Sequence, residues 1–354
     1  MNARRALVVG VSGISGYNAA ARLLADGWEV TGLARRPGQG PPGTSELLVD
    51  LQARDAVAEA LAGGGYTHVF YCTWQRRETE TENRRVNGAM LSHVLDALGP
   101  QGTLEHVALV TGLKHYLGPF EAYAQTPIET PFREEMDRVP YENFYYDQED
   151  ILFAAAARHG FTWSVHRAHT IIGWALGNAM NMGVTLAVYA TMCREAGRPF
   201  VFPGSPQQWE GITDVTDATL LAEQLLWSAT APAGANQALN TVNGDVFRWR
   251  RMWEVIATDL GVRTGPYPGH ARSLEEEMRG REDEWGAIVE RHGLRPTELS
   301  QLASWWHTDS DLGRQVETFA DMTKSRTLGF LGFRDTRRTF HDLFARLRAE
   351  RVIP

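Results

Sequence analysis

The chain has 354 residues, 43% of them hydrophobic, with a formal net charge of −8 and a pI near 5.8. That is length enough for a large buried core and roughly two domains. The acidic balance offers no footprint for nucleic acid or an anionic membrane. Neither a leader peptide nor a membrane span is expected, so a cytoplasmic protein is. The two cysteines, Cys72 and Cys193, make no disulfide framework and have no metal-ligand neighbours; both are expected as reduced packing residues, with no metal site. Of 35 basic residues only Lys114 and Lys324 are lysines, a bias that singles out each remaining amine.

The first thirty-six residues organise the rest. Arg5-Ala6-Leu7-Val8-Val9 is apolar enough for a buried strand and runs into Gly10-Val11-Ser12-Gly13-Ile14-Ser15-Gly16. Tyr17 to Asp26 then reads as helix. Glycines at GxxGxxG spacing between strand and helix let the backbone approach a pyrophosphate, whose charge suits the positive end of the helix. A tight strand-to-helix turn that merely needs small residues is the plainer alternative. A second strand, Trp28 to Leu33, is followed by Ala34-Arg35-Arg36. An NAD site puts a carboxylate near there for the ribose 2′-hydroxyl, whereas two arginines suit a 2′-phosphate, so NADPH is expected over NADH.

Further strands are expected at Ser45–Leu51, Thr67–Trp74, His106–Thr111 and Thr162–Arg167, with helices at Ala53–Leu61, Asn83–Leu98 and Asp147–His159. This alternation predicts a doubly wound parallel sheet of Rossmann type with ligand at the carboxyl ends of its strands. Gly112 to Phe144 breaks the rhythm: it is a long, aromatic, aperiodic connection of the sort that carries function. The expected division is a nucleotide-binding domain over residues 1–180. A smaller, mainly helical substrate domain follows over 181–354, with some segments returning to the sheet. In that second part helices are expected at Asn181–Ala196, Asp217–Trp227 and Phe247–Gly261, strands at Pro199–Phe202 and Ala238–Val242, and one solvated helix over Ser273–Glu284. Trp227, Trp249 and Trp253 lie at helical spacing and read as core, while Met180, Met182 and Met192 suit either an adaptable pocket or core filling.

Reactive side chains cluster in three segments that flank strands: Thr111 to Glu121, Asn143 to Asp150, and His166 to Gly173. A tyrosine and a lysine beside a nicotinamide form an acid pair, the phenol hydrogen-bonding a substrate oxygen and the ammonium stabilising the charge that develops there. Their usual spacing, YxxxK, fails here, because Glu149 and Asp150 stand four residues after Tyr145 and Tyr146. Lys114, on another loop, is a surface charge or a catalytic one; the residues alone leave both open.

In these segments the chain resembles the progesterone 5β-reductase and iridoid synthase-like enone reductases, a branch of the extended short-chain dehydrogenases. The stretches that carry the resemblance are GLKHYLGPFE, NFYYDQEDILF, TWSVHR, NGDVFRW and GFLGFR. It implies catalytic roles for Lys114 and Tyr145, and contacts to NADPH from Gly13, Ile14, Ser15, Arg35, Arg36, Asp50, Leu51, Thr73, Val110, Tyr145 and Ile171, which join Gly10 and Gly16 of the glycine turn as expected cofactor residues. It implies hydride addition to the β-carbon of an α,β-unsaturated carbonyl in a small enone or enal. Trp74, Phe120, Tyr146 and His307 are the expected substrate wall. Two departures stand out: Ala168 where the family has proline, and His307, behind Trp305-Trp306, where it has a pocket phenylalanine. The polar His307 argues against a steroid-sized apolar substrate, and His169 is either near the nicotinamide or structural. Rival readings are a carbonyl 1,2-reductase, a nucleotide-sugar enzyme, or a non-catalytic NADP(H)-sensing regulator. Assembly as a homodimer stays open.

Overall fold

The computed structural model describes residues 4–38, 40–119, 122, 128–177 and 180–354. Its main sheet is built from β1 (Arg5–Val9), β2 (Glu29–Ala34), β3 (Ser45–Leu48), β4 (His68–Tyr71), β5 (His106–Thr111), β6 (Thr162–Ala168) and a last strand, Gln237–Thr241. The order is β3-β2-β1-β4-β5-β6 followed by Gln237–Thr241, and every pair is parallel. Central strands of a parallel sheet are covered on both faces, which is why β1 reads as an unbroken apolar run and Ala6 to Val9 have no exposure at all.

Helices α1 (Ile14–Ala25) and Ala218–Thr230 pack together over one face. On the other lie α2 (Arg54–Leu61), α3 (Glu80–Leu98) and α5 (Phe144–His159). There Leu7, Val69 and Val107, in register across three strands, pack with Val57, Val86, Val94, Leu95 and Leu152. The face toward Ala218–Thr230 holds polar groups instead. His68 pairs in register with His106; His106 reaches Thr162 Oγ1 and Ser164 Oγ at 2.8 and 2.9 Å; His166 bonds Gln224 Oε1 and Ser228 Oγ at 2.8 and 3.1 Å. Both edges are blunted: β3 is short and largely exposed, and beside the last strand Lys324 Nζ donates to the Ala238 carbonyl at 2.8 Å. One of the two lysines therefore has a structural task.

The chain divides into two compact units: Met1–His169 with Ala218–Val242 and Ala320–Gly332, and Thr170–Asp217 with Asn243–Phe319 and Phe333–Pro354. The second unit is organised on the helix Met182–Glu195, whose residues from Met182 to Cys193 are all buried, so Met182 and Met192 are core. A two-residue parallel ladder, Ile171–Ile172 with Thr216–Asp217, sits beside it. Trp253 is also core, its ring stacked on Phe200 with centroids 4.0 Å apart. No described helix is long and apolar enough to cross a membrane.

Three expectations need correction. Pro199–Phe202 forms no strand: Phe200 makes one isolated bridge with Thr264, and the flanking Pro199 and Pro203 lack the N–H a longer ladder needs. The charged run Ser273–Glu284 is not one helix; Leu274–Glu277 and Glu282–His292 are separated at Gly280, whose φ of +73° no helix accepts. Finally, α5 begins three residues before Asp147. Asn143 caps it, its Oδ1 accepting the Tyr145 N–H at 3.0 Å, and this puts Tyr145 in the first turn.

Candidate active site

The strand order reverses between β1 and β4, and the carboxyl ends there open the crevice in which doubly wound folds hold ligands. Gly10, at the end of β1, has φ +85°, and a Cβ on it would lie 2.6 Å from Thr73 Cβ. A Cβ on Gly16 would lie 2.2 Å from the Gly10 carbonyl oxygen. These two glycines are demanded by the packing of the turn itself. Gly13 is different: its Cβ would meet Gly10 O at 3.4 Å, an ordinary contact, so none of the described residues excludes a Cβ there. Gly13 is also the N-cap of α1 and contributes no side-chain acceptor to the first N–H groups of that helix. A bare helix start behind a glycine the fold does not need is a cradle suited to a phosphate group.

Around this turn the expected cofactor residues gather at strand ends. Ile14 and Ser15 are buried in the first turn of α1. Arg35 and Arg36 are exposed just past β2; Asp50 is exposed and Leu51 buried past β3; Thr73 and Val110 are half-buried at the ends of β4 and β5. Thr111 Oγ1, also at the end of β5, is buried without a hydrogen-bond partner among the described residues. Ile171 belongs to the second unit, as does His307, which is half-buried on the helix Trp305–Leu312 against Trp306. Phe120 lies outside the described residues.

Lys114 opens the short helix α4 (Lys114–Leu117), directly after β5. It is only 6% exposed. Its Nζ lies 5.1 Å from the centre of the Phe144 ring and 5.5 Å from that of Trp74, while Trp74 and Phe144 stack on each other. An ammonium over aromatic faces is favoured by their negative quadrupole, and Glu80 Oε2 supplies a counter-charge 3.7 Å away. The backbone of Lys114 is tied to the start of α5: Asn143 Nδ2 donates to the Lys114 carbonyl at 2.5 Å, and its Oδ1 caps Tyr145. Tyr146 completes the tie, its hydroxyl donating to the His115 carbonyl at 2.5 Å and accepting the Val139 N–H at 3.0 Å. Tyr145 itself is buried, with its ring 4.3 Å from that of Phe144. A Cβ on Gly112 would come within 3.5 Å of the Tyr145 hydroxyl, so the phenol lies over the glycine that follows β5. Lysine and tyrosine from separate segments thus belong to one hydrogen-bonded knot.

Beneath α4 lies a buried ionic group. Glu149 Oε1 is 3.3 Å from His115 Nδ1 and 3.4 Å from Arg167 Nη2, and its Oε2 is 3.2 Å from Arg138 Nη2. Burial opposes the charge on Glu149, but His115 and the two guanidinium groups outweigh it and hold the carboxyl below its usual range. Burial, with the nearby arginines, holds the His115 imidazole below its usual value, despite its Glu149 partner. Arg167 continues to the Tyr116 hydroxyl, which donates to Asn240 Oδ1 at 2.5 Å. Sequence patterns leave Glu80 unmarked, and they place Asn143, Glu149 and Arg167 inside the reactive segments without giving any of them a role. Only Asn143 left a local signal, an Asn directly before the aromatic pair, where a helix cap belongs.

The model of the PRISE-like Rossmann-fold domain matches residues 53–354. The (S)-8-oxocitronellyl enol synthase of Nepeta cataria is 40% identical over 362 residues, covering 99% of this chain and 93% of the relative. The 3-oxo-Delta(4,5)-steroid 5-beta-reductase of Arabidopsis thaliana is 40% identical over 364 residues with the same coverage. Among solved structures, the UDP-glucose 4-epimerase of Thermus thermophilus superposes with a TM-score of 0.68 at 16% identity, over 97% of this chain and 99% of that one. That likeness shows the shared fold. Matched by the family model over most of its length and 40% identical to these two plant enzymes, the chain belongs to the PRISE-like Rossmann-fold family.

Proposed function

We propose that the protein is an NADPH-dependent reductase of the C=C bond in α,β-unsaturated carbonyl compounds. The observation that carries this reading is the buried Lys114 amine, held against Phe144 and Trp74 beside the helix turn that presents Tyr145. Its relatives' names, an enol synthase and a steroid 5-beta-reductase, support the same chemistry. Gly13 and the start of α1 would receive the pyrophosphate, Arg35 and Arg36 a 2′-phosphate, and Asp50, Leu51, Thr73, Val110 and Ile171 the rest of the cofactor.

Bound there, NADPH supplies a hydride for the substrate β-carbon. The Tyr145 hydroxyl donates a hydrogen bond to the substrate carbonyl oxygen, and Lys114 places positive charge where the oxyanion develops. Burial of both groups strengthens each interaction, because little water competes. Solvent protonates the α-carbon. Trp74 walls the site beside Lys114. Free Cys72 and Cys193 fit a reducing compartment such as the cytoplasm.

The test is a panel of enones and enals with NADPH, followed by cofactor absorbance and product identification. Saturated carbonyl products support the reading. Allylic alcohols would move it to 1,2-reduction, and no turnover across the panel would reject it.

A further inference from the structure

Glu80 stands where two needs of this site meet. It is the first residue of α3, a neighbour of α5 in the layer over the sheet. Its Oε1 accepts the N–H of Phe144 at 2.8 Å, the first residue of the helix that carries Tyr145. Its Oε2 lies 3.7 Å from Lys114 Nζ and accepts from Asn83 Nδ2 at 3.0 Å. Two helix N-termini, each with partial positive charge, and one ammonium thus share this small region. A nearly buried amine there is tenable only with a compensating anion.

We propose that Glu80 is the positioning residue of the reductase site, one carboxylate that spaces the Tyr145 helix against the Lys114 amine. This rests on the reading of Lys114 and Tyr145 as the oxyanion pair. One oxygen fixes where α5 begins, and the other orients the ammonium toward the side of the aromatic stack on which the substrate oxygen is held. Asn83 restricts the carboxylate in turn. Glu80 works through the two groups it holds.

Glu80→Gln tests this, since it keeps an acceptor for the Phe144 N–H and removes the charge. Expected is a fall in enone kcat of about 10–100-fold, the scale of a small misplacement of a reacting group. KM and NADPH affinity should stay within about threefold. In a Lys114→Ala background the same change should cost less than about twofold more, because the partner it positions is gone. Glu80→Asp keeps the charge on a shorter arm and should fall between wild type and Glu80→Gln. Equal losses in both backgrounds, a collapse of KM and cofactor affinity with kcat, or full activity in Glu80→Gln would each overturn the proposal. A second readout does not depend on turnover. With only Lys114 and Lys324 in the chain, lysine labelled with 13C at Cε gives two side-chain signals in NMR. Glu80→Gln should move the Lys114 signal and leave that of Lys324 in place. An unmoved Lys114 signal refutes the contact even if no enone is reduced, while a moved signal in an enzyme inert toward enones faults the reductase reading instead.

Discussion

Lowering the pH from 7 to 5 should destabilise this protein through three histidines outside the proposed chemistry. His68, His106 and His166 are buried on the sheet face under Ala218–Thr230, and burial pushes them down to about 4, about 3 and about 4. In the unfolded chain each returns to about 6.5. Between those values the unfolded state binds protons that the folded state refuses, so stability is complete above about pH 6.5 and falls as the pH drops toward 4. At pH 5 each histidine costs about 2 kcal/mol, roughly 5–6 kcal/mol for the three, against a typical domain stability of about 5–15 kcal/mol. His115, held below its usual value in its own ion pair, adds in the same direction. Carboxylates contribute little until the pH nears 4.5, so the window belongs to histidine. The assay is urea denaturation followed by circular dichroism across this range. His106→Gln keeps a polar group facing Thr162 and Ser164 and cannot titrate, so it should remove about a third of the pH dependence attributed to the three. A wild-type midpoint that is flat from pH 7 to 5, or an equal slope in His106→Gln, would refute the argument.

Other predictions follow from the site. Tyr145→Phe should lower turnover of enones by about 10²–10³-fold with NADPH binding retained, measured by steady-state kinetics and cofactor fluorescence. Gly13→Ala should leave Tm nearly unchanged yet weaken NADPH binding, whereas Gly10→Ala should lose about 1–2 kcal/mol or more of stability, because its φ of +85° strains any L side chain. Equal Tm losses in both would refute the division of labour between these glycines. Exchanging Arg35 and Arg36 for serine should raise the KM for NADPH about 10–100-fold with little effect on NADH, as expected for losing charge-assisted bonds worth about 1.5–3 kcal/mol. Asn143→Ala should cost about 1 kcal/mol or more of stability, read as a drop in Tm, since it removes both a helix cap and the tie to the Lys114 carbonyl.

The nucleotide-binding half was legible in the chain because its determinants are local. A buried strand, a glycine turn and a helix follow one another within twenty-six residues, and the arginines stand one strand later. Apolar runs long enough to be covered on both faces announce a parallel sheet, and the family resemblance named Lys114 and Tyr145 before any geometry. What the sequence could not determine depends on residues distant along the chain. The parallel register sets His68, His106 and Thr162 side by side from strands separated by whole helices. Glu80, Lys114 and Phe144 come from three segments that only helix packing brings together, and a carboxylate in the first turn of α3 reads as ordinary helix chemistry until its partners are known. The start of α5 differs from the expected Asp147 because Asn143 supplies the cap, which draws Phe144, Tyr145 and Tyr146 into the first turn. Which segments return to the first unit, Ala218–Val242 and Ala320–Gly332, is likewise decided by tertiary structure: the last strand is placed beside β6 by parallel backbone pairing and by Asn240, whose side chain meets the Tyr116 hydroxyl and the Phe132 carbonyl, partners more than a hundred residues away.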